Sequence, residues 1–304
     1  MKFFDLFCGV GGFRLGMERN GNVCIGSCEI EKYARQTYAK NFGHEPEYRD
    51  ARDINPSELP GFDVLCAGFP CQAFSLAGKK RGFEDTRGTL IYEIIRIARE
   101  KQPSFLFLEN VKGLLYHDKG NTFKTILNAL DEVGYDVTWQ VINSKYFVPQ
   151  SRERLYIIGY FRGKSKQKVF CAYDPIEDQD GGKANKGQES VSATLTTKQD
   201  RYPNAGFVKV VRAVLSSVLT RENPRQQGRK IKEEGEPSFT VTCIDKGAIQ
   251  VDGEYRFFTP IECERLQGFP DNWTEGVSDA QRFKQMGNAV TVDVIEHIAR
   301  FLNA

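Results

Sequence analysis

Lys2-Phe3-Phe4-Asp5-Leu6-Phe7-Cys8-Gly9-Val10-Gly11-Gly12-Phe13-Arg14-Leu15-Gly16 decides the reading of the fold. Residues 2–7 have the apolar density of a first strand, and that strand runs directly into glycines. Glycine lets the chain turn tightly and lets a nucleotide approach backbone N–H groups at a helix start. The GxGxxG pattern is broken, because Arg14 occupies its sixth place, which disfavours a nicotinamide dinucleotide.

Outward from this turn the chain alternates. Residues 22–28 predict a second strand ending at Glu29, and an acid about 20 residues past the turn, at the end of strand two, can accept both ribose hydroxyls. Residues 31–42 predict a helix, a third and poorly marked strand precedes Asp53, and residues 62–69 form a fourth. This β-α-β-α-β order argues for an α/β fold with a parallel sheet and helices on both faces.

The fourth strand ends in Ala67-Gly68-Phe69-Pro70-Cys71-Gln72. Pro70 fixes its own φ and biases Phe69 toward extended geometry, so Cys71 stands where a strand end opens into a loop. Ligands bind at that edge in open α/β folds. A thiol there is either a buried apolar cysteine or a nucleophile. Residues 75–88 are polar, basic and glycine-containing, and predict a mobile lid. Residues 89–102 predict an amphipathic helix with Leu90, Ile91, Ile94, Ile95, Ile97 and Ala98 on one face.

Phe105-Leu106-Phe107-Leu108-Glu109 is an unbroken apolar strand ending in a carboxylate. Burial would raise the pKa of Glu109 and leave it able to donate a proton near neutral pH; the other reading is an exposed acid just past the strand end. Residues 121–133 predict a helix, and 137–147 and 155–161 predict strands. Between those strands lies Pro149-Gln150-Ser151-Arg152-Glu153-Arg154, whose two arginines suit fixed, always-charged donors to a carboxylate, phosphate or base carbonyl.

After Phe161 the βα alternation stops. Residues 170–255 gain Gly, Asn and Pro and hold two Thr-rich stretches, 192–197 and 238–243, that predict strands of a smaller domain. Between Lys183 and Lys232 there are 11 Lys/Arg against 3 Asp/Glu, a surplus of +8 in a chain of net charge +2, so the remainder sums to −6. Such a block suits a polyanion-facing surface. Residues 259–268 and 291–302 return as helices, which makes the first domain discontinuous.

The 304 residues are 40% hydrophobic and 27% charged, the balance of a soluble globular protein. No apolar run reaches membrane-spanning length, and the N-terminus lacks the charged head and apolar stretch of a signal peptide. The eight cysteines form no CxxC pair and lie far in sequence from the three histidines, so neither a zinc site nor a disulfide framework is expected. Reduced thiols in a cytoplasmic protein are the expectation.

Taken together, five motifs resemble the DNA (cytosine-5)-methyltransferases in order and spacing: residues 5–13, Phe69-Pro70-Cys71-Gln72, Glu109-Asn110-Val111, Gln150-Ser151-Arg152-Glu153-Arg154-Leu155-Tyr156, and Gln285-Met286-Gly287-Asn288-Ala289-Val290. The resemblance covers most of residues 1–160 and 257–304. It implies a Rossmann-like sheet that uses S-adenosylmethionine, with residues 1–166 and 258–304 as catalytic domain and 167–257 as target-recognition domain. It further implies methyl transfer to carbon 5 of a cytosine flipped out of double-stranded DNA, through a covalent Cys71 adduct at carbon 6. Glu109 would engage N3 and the exocyclic amine, Arg154 the carbonyl side, and Arg152 would assist. Phe7, Gly9, Gly11 and Gly12 would line the cofactor turn, Glu29 would hold the ribose and Asp53 the adenine amine, while Pro70, Leu90, Asn288 and Val290 would complete the pocket. Extrusion costs roughly a few kcal/mol. Gln72, Ser75, Lys79, Lys80, Arg81, Arg87, Arg225 and Arg229 would supply compensating DNA contacts. The enzyme would act as a monomer without metal, alongside a restriction endonuclease for the same site. A branch with nearly the same motifs methylates tRNA; the separate recognition domain of residues 167–257 argues for duplex DNA instead. A catalytically silent DNA-binding paralogue is disfavoured by the intact Cys71, Glu109 and Arg154.

Overall fold

The computed structural model describes residues 1–69, 90–164, 212–214, 231–233, 236–242, 247–251 and 254–303. The chain divides into two compact units. One comprises the described residues of Met1–Ile142, Glu153–Tyr173 and Glu296–Ala304; the other comprises those of Asn143–Arg152 and Asp174–Ile295.

A six-stranded sheet organises the first unit. Its strands are β1 (Lys2–Leu6), β2 (Val23–Cys28), β3 (Val64–Gly68), β4 (Phe105–Val111), β5 (Tyr135–Asn143) and β6 (Glu153–Phe161), in the order β2-β1-β3-β4-β6-β5. β1 runs parallel to β2 and β3, and β3 runs parallel to β4. β6 is antiparallel to β4, so the sheet is mostly rather than wholly parallel. The physical reason lies in the link between β5 and β6. It spans only residues 144–152, too short for the crossover that a parallel return needs.

Helices cover both faces. On one face Phe4, Leu6, Leu65, Ala67, Leu106, Leu108, Leu155 and Ile157 are packed with apolar residues of α3 (Leu90–Lys101) and α4 (Asn121–Glu132). The period-2 alternation of strands sends the intervening residues to the other face. There Phe107 meets Phe13 of α1 (Gly12–Glu18) edge-on, with ring centroids 5.0 Å apart. Helix α2 (Lys32–Phe42) is capped by the Glu31 side chain, which accepts from the Ala34 amide.

The expected third strand before Asp53 is absent from the described residues. Tyr48 makes one isolated parallel bridge to Cys28, and Ala51–Asp53 is a 3₁₀ turn. The Asp50 carboxylate accepts from the Arg52 amide and so captures the backbone locally, which competes with a strand ladder.

The second unit contains a small antiparallel sheet of β7 (Arg212–Val214), β8 (Ala248–Val251) and β9 (Glu254–Phe257). Of the two Thr-rich stretches, 192–197 lies outside the described residues. The described part of the other, 238–242, is not a strand; Ser238 makes an isolated bridge to Gln150. Two helices follow, α5 (Pro260–Leu266), with a Thr259–Glu262 capping box, and α6 (Asp279–Asn288), which the sequence pattern did not suggest. The final helix, α7 (Val292–Asn303), buries the apolar positions expected of it, Val292, Val294, Ile295, Ile298, Ala299 and Leu302.

Residues 258–295 group with residues 143–152 in the second unit. Buried side chains explain this grouping. Gln150 Nε2 donates to the Leu266 carbonyl at 2.9 Å, and Ser144 Oγ lies 2.9 Å from Thr291 Oγ1.

Candidate active site

Two motifs meet at the C-terminal end of β4. Antiparallel pairing places Glu109 opposite Tyr156 and Val111 opposite Arg154. Glu109 is buried, and the Arg154 Nε lies 3.1 Å from its Oε1. A buried carboxylate is costly without a counter-charge, and this guanidinium supplies one. The two side chains remain 11% and 16% exposed. Arg154 also donates to the Glu153 carbonyl through Nη1.

A third motif is tied to the same edge. Asn110 is buried, and its Nδ2 donates to the Phe69 carbonyl at 2.8 Å, while its Oδ1 accepts from the Val111 amide. Phe69 is the last described residue of the segment that leads to Cys71. The sequence pattern gave Asn110 no role. An amide following a strand-ending acid carries no signal until the neighbouring strand's end is known.

The glycine turn after β1 is built around Glu29. Its Oε2 accepts from the Gly9 amide and its Oε1 from the Glu31 amide, both at 2.8 Å. Burial pushes its carboxyl up, and those two amides pull it back. Phe7 adopts a left-handed conformation at φ 61°, rare for a bulky residue and a sign of local constraint. At Gly11, φ is 88° and an added Cβ would lie 2.2 Å from the Phe42 ring, so only glycine fits. At Gly9, also left-handed, an added Cβ would meet nothing within 4 Å, which leaves open space directly above the turn. Gly12 begins α1 and Leu90 begins α3.

Asp53 is exposed in its 3₁₀ turn. Glu29 and Asp53 act on one common neighbour: the Cys28 thiol is pushed up to about 12, first by burial and then by the carboxylates of Glu29, Asp50 and Asp53. Ile30, unremarked in the sequence, is 57% exposed immediately after Glu29 and offers an apolar surface there. Asp5 is fully buried on the α1 face, and neither carboxylate oxygen meets a well-formed hydrogen bond among the described residues. Desolvation raises its pKa well above the usual range, against the opposing pull of Arg14.

In the second unit, Asn288 is exposed at the end of α6 and Val290 is buried. Arg152 is also buried there, 2% exposed, with its Nη1 on the Val241 carbonyl and its Nη2 on those of Gly287 and Ala289. The structure therefore brings Glu109 and Arg154 together and places Arg152 on backbone carbonyls. Pro70, Cys71, Gln72, Ser75, Lys79, Lys80, Arg81, Arg87, Arg225 and Arg229 lie outside the described residues, as does the lid expected at 75–88. Among the described residues no group of three or more His, Cys, Asp or Glu could hold a metal ion, and no helix is long and apolar enough to cross a membrane.

This sheet is the frame of S-adenosylmethionine-dependent methyltransferases. The S. pombe Dnmt2 methyltransferase has the same fold, with a TM-score of 0.72 at 17% identity over 100% of this chain and 98% of that one. Among curated proteins, the Type II methyltransferase M.HhaI of Haemophilus parahaemolyticus is 36% identical over 98% of this chain and 93% of its own length. M.HpaII of Haemophilus parainfluenzae is 40% identical over 97% of this chain and 87% of its own length. The sequence model of the family described as C-5 cytosine-specific DNA methylase matches residues 1–304. The chain belongs to that family, and it is an S-adenosylmethionine-dependent enzyme that methylates carbon 5 of cytosine in DNA.

Proposed function

We propose that the protein methylates a cytosine flipped out of a specific double-stranded DNA sequence, through a transient bond between the Cys71 sulfur and carbon 6. The observation that carries this reading is the junction at the end of β4, where Glu109 pairs with Arg154 and Asn110 holds Phe69, two residues before Cys71.

Carbon 5 of cytosine is a poor nucleophile. Attack by the Cys71 thiolate on carbon 6, with Glu109 engaging N3 and the exocyclic amine, makes the ring electron-rich at carbon 5. Arg154 steadies Glu109 and the carbonyl side of the base. After carbon 5 is methylated, its proton leaves to a base and the sulfur–carbon bond breaks, which regenerates the thiol. S-adenosylmethionine, when bound, supplies the methyl group as an electrophilic carbon on a sulfonium. The residues around the turn fit such a molecule: open space above Gly9, a carboxylate at Glu29, and the exposed apolar surface of Ile30. On this reading Glu29 accepts the ribose hydroxyls, Asp53 the adenine amine, and Phe7, Gly11, Gly12, Pro70, Leu90, Asn288 and Val290 complete the pocket.

Glu29 also sets a pH dependence. The ionised carboxylate is the acceptor, and burial raises its pKa. Affinity for S-adenosylmethionine therefore falls as pH drops through that raised value, before the ordinary carboxylate range near ~4.3 is reached. Glu29→Gln should bind about tenfold more weakly at pH 7.5, as expected when a charge-assisted acceptor is lost, and lose this dependence. Titration calorimetry between pH 5 and 8 checks both; an identical pH profile in the variant would exclude Glu29 as the titrating group.

Residues 167–257 serve as the target-recognition domain, with residues 1–166 and 258–304 carrying the chemistry. Gln72, Ser75, Lys79, Lys80, Arg81, Arg87, Arg225 and Arg229 contact DNA. The curated relatives are named Type II methyltransferases, which supports pairing with a restriction endonuclease of the same specificity; the enzyme acts in the cytoplasm as a monomer without metal. Incubating the purified enzyme and S-adenosylmethionine with duplex DNA of random sequence, and separately with tRNA, then bisulfite sequencing both, tests this reading. Protected cytosines should fall within one short DNA word. Methylation of tRNA with none in DNA would overturn it.

A further inference from the structure

Strands β1 and β2 end together, with Leu6 opposite Cys28. Tyr48 bridges Cys28 in parallel, and the Glu29 amide donates to the Tyr48 carbonyl at 3.1 Å. That parallel bridge directs the following residues past the C-terminal ends of the strands, the edge beyond which ligands bind in open α/β folds. Gly9 and Glu29 stand at the same edge, joined by a 2.8 Å hydrogen bond. The Cys28 thiol feels the carboxylates of both Glu29 and Asp53. All of these residues belong to the first compact unit.

The turn that carries Asp53 is weak on its own. Ala51–Asp53 is a three-residue 3₁₀ turn, closed by the Ile54 amide on the Ala51 carbonyl at 3.3 Å, and bonds of this kind have poor geometry. Helix α3, in the same unit, supplies the missing support. Arg96 Nη2 donates to the Ala51 carbonyl at 2.9 Å, and its Nη1 donates to the Ile54 carbonyl at 2.6 Å. One guanidinium thus holds acceptors on both sides of Asp53. Its fork is fixed in turn by Glu93, whose Oε2 accepts from Nε at 2.9 Å and from Nη2 at 2.6 Å. Lys101 of the same helix holds the Leu59 carbonyl at 2.6 Å. Ala51, Ile54 and Glu93 are buried. Asp50 is engaged by Arg52, and Asp53, the remaining acid of the turn, is exposed.

We infer that Arg96 is a positioning residue for S-adenosylmethionine, which fixes the Ala51–Ile54 backbone so that Asp53 discriminates adenine from a base lacking the exocyclic amine. This rests on the reading of Asp53 as the acceptor of that amine. An ionised carboxylate only accepts hydrogen bonds, so it binds an amine and opposes a carbonyl. Hydrogen bonds weaken steeply when misaligned, so the discrimination requires a fixed turn as well as a charge.

Hypoxanthine carries a carbonyl where adenine carries the amine. Calorimetry with S-adenosylhomocysteine and S-inosylhomocysteine, each in the absence of DNA, therefore reads the contact directly. The parent should prefer the adenosyl compound by about tenfold or more, the worth of one charge-assisted hydrogen bond. Arg96→Lys keeps the charge but cannot span two carbonyls with a fixed fork. It should bind the adenosyl compound about tenfold more weakly and the inosyl compound within about twofold of the parent, because only the former makes the lost bond. Asp53→Ala should show the same collapse of preference. The double variant should be no worse than the poorer single one, because both changes act through one turn. Equal weakening toward both compounds in Arg96→Lys would reveal a role in stability alone and overturns the inference. A preference kept in Arg96→Lys but lost in Asp53→Ala overturns the Arg96 assignment and leaves Asp53 at the adenine. A preference kept in Asp53→Ala removes Asp53 from the adenine, and the inference with it. Should Arg96→Lys fail to fold, Glu93→Gln, which takes the counter-charge from the guanidinium fork, must show the same collapse or the clamp is refuted.

Discussion

Cys71→Ala should abolish methyl transfer while leaving duplex binding intact. Removing the nucleophile of a covalent mechanism costs on the order of 10⁴–10⁶ in turnover, because carbon 5 of cytosine has no other route to becoming electron-rich. Binding, in contrast, depends on phosphate contacts and on the recognition domain. The substitution is small and follows Phe69, whose carbonyl remains held by Asn110, so the anchored base of the segment is retained. Two measurements separate the alternatives. Filter binding to the recognised duplex should give an affinity within about twofold of the parent, the scatter expected where no phosphate contact is lost. A duplex carrying 5-fluorocytosine at the target should be captured by the parent in the presence of S-adenosylmethionine and not by the variant, since fluorine cannot leave carbon 5 as a proton does. Capture by the Ala variant, or methylation at an undiminished rate, would move the nucleophile elsewhere.

Glu109→Gln is the second large effect. The side chain keeps its shape but loses the charge that pairs with Arg154 at 3.1 Å. A lost acid–base or charge-stabilising group typically costs 10²–10⁴ in rate, and that range is the expected fall in turnover. The cofactor residues around Gly9 and Glu29 do not include Glu109, so S-adenosylmethionine affinity should stay within about twofold, as for sites with no shared partners. Arg154→Ala should lower turnover as well. Combined with Glu109→Gln it should cost less than the two single effects added together, because the residues form one pair. A fully additive double variant would show that they act separately. Thermal melting of each variant guards against misreading a folding defect, because either change leaves a partly buried group without its partner.

Both substitutions probe residues whose chemical types and sequence contexts stood out in the chain. Glu109 ends an unbroken apolar run, and Cys71 follows the only proline at a predicted strand end that opens into a glycine-containing polar segment. The chemical type of Arg152 was visible in the sequence and its environment was not. Two arginines one residue apart look equivalent in sequence, yet Arg154 pairs with Glu109 while Arg152 holds backbone near residue 288. The third strand failed for a local reason, the Asp50 side chain capturing the backbone at Arg52. The direction of β6 was overlooked although the link from β5 was short enough to reveal it.

Apolar periodicity, glycine turns and the order of five motifs determined the α/β class, the parallel arrangement of β1 to β4, the family and its cofactor. These are properties of residues close together along the chain, or of motifs in sequence order, and need no knowledge of which distant segments touch. Tertiary structure alone decided which side chains face one another across the chain: Glu109 with Arg154, Asn110 with Phe69, and Arg152 with residues 241, 287 and 289. Hydrogen bonds and ion pairs act over about three ångströms, so partners separated by scores of residues are defined only once folding has brought them within that range.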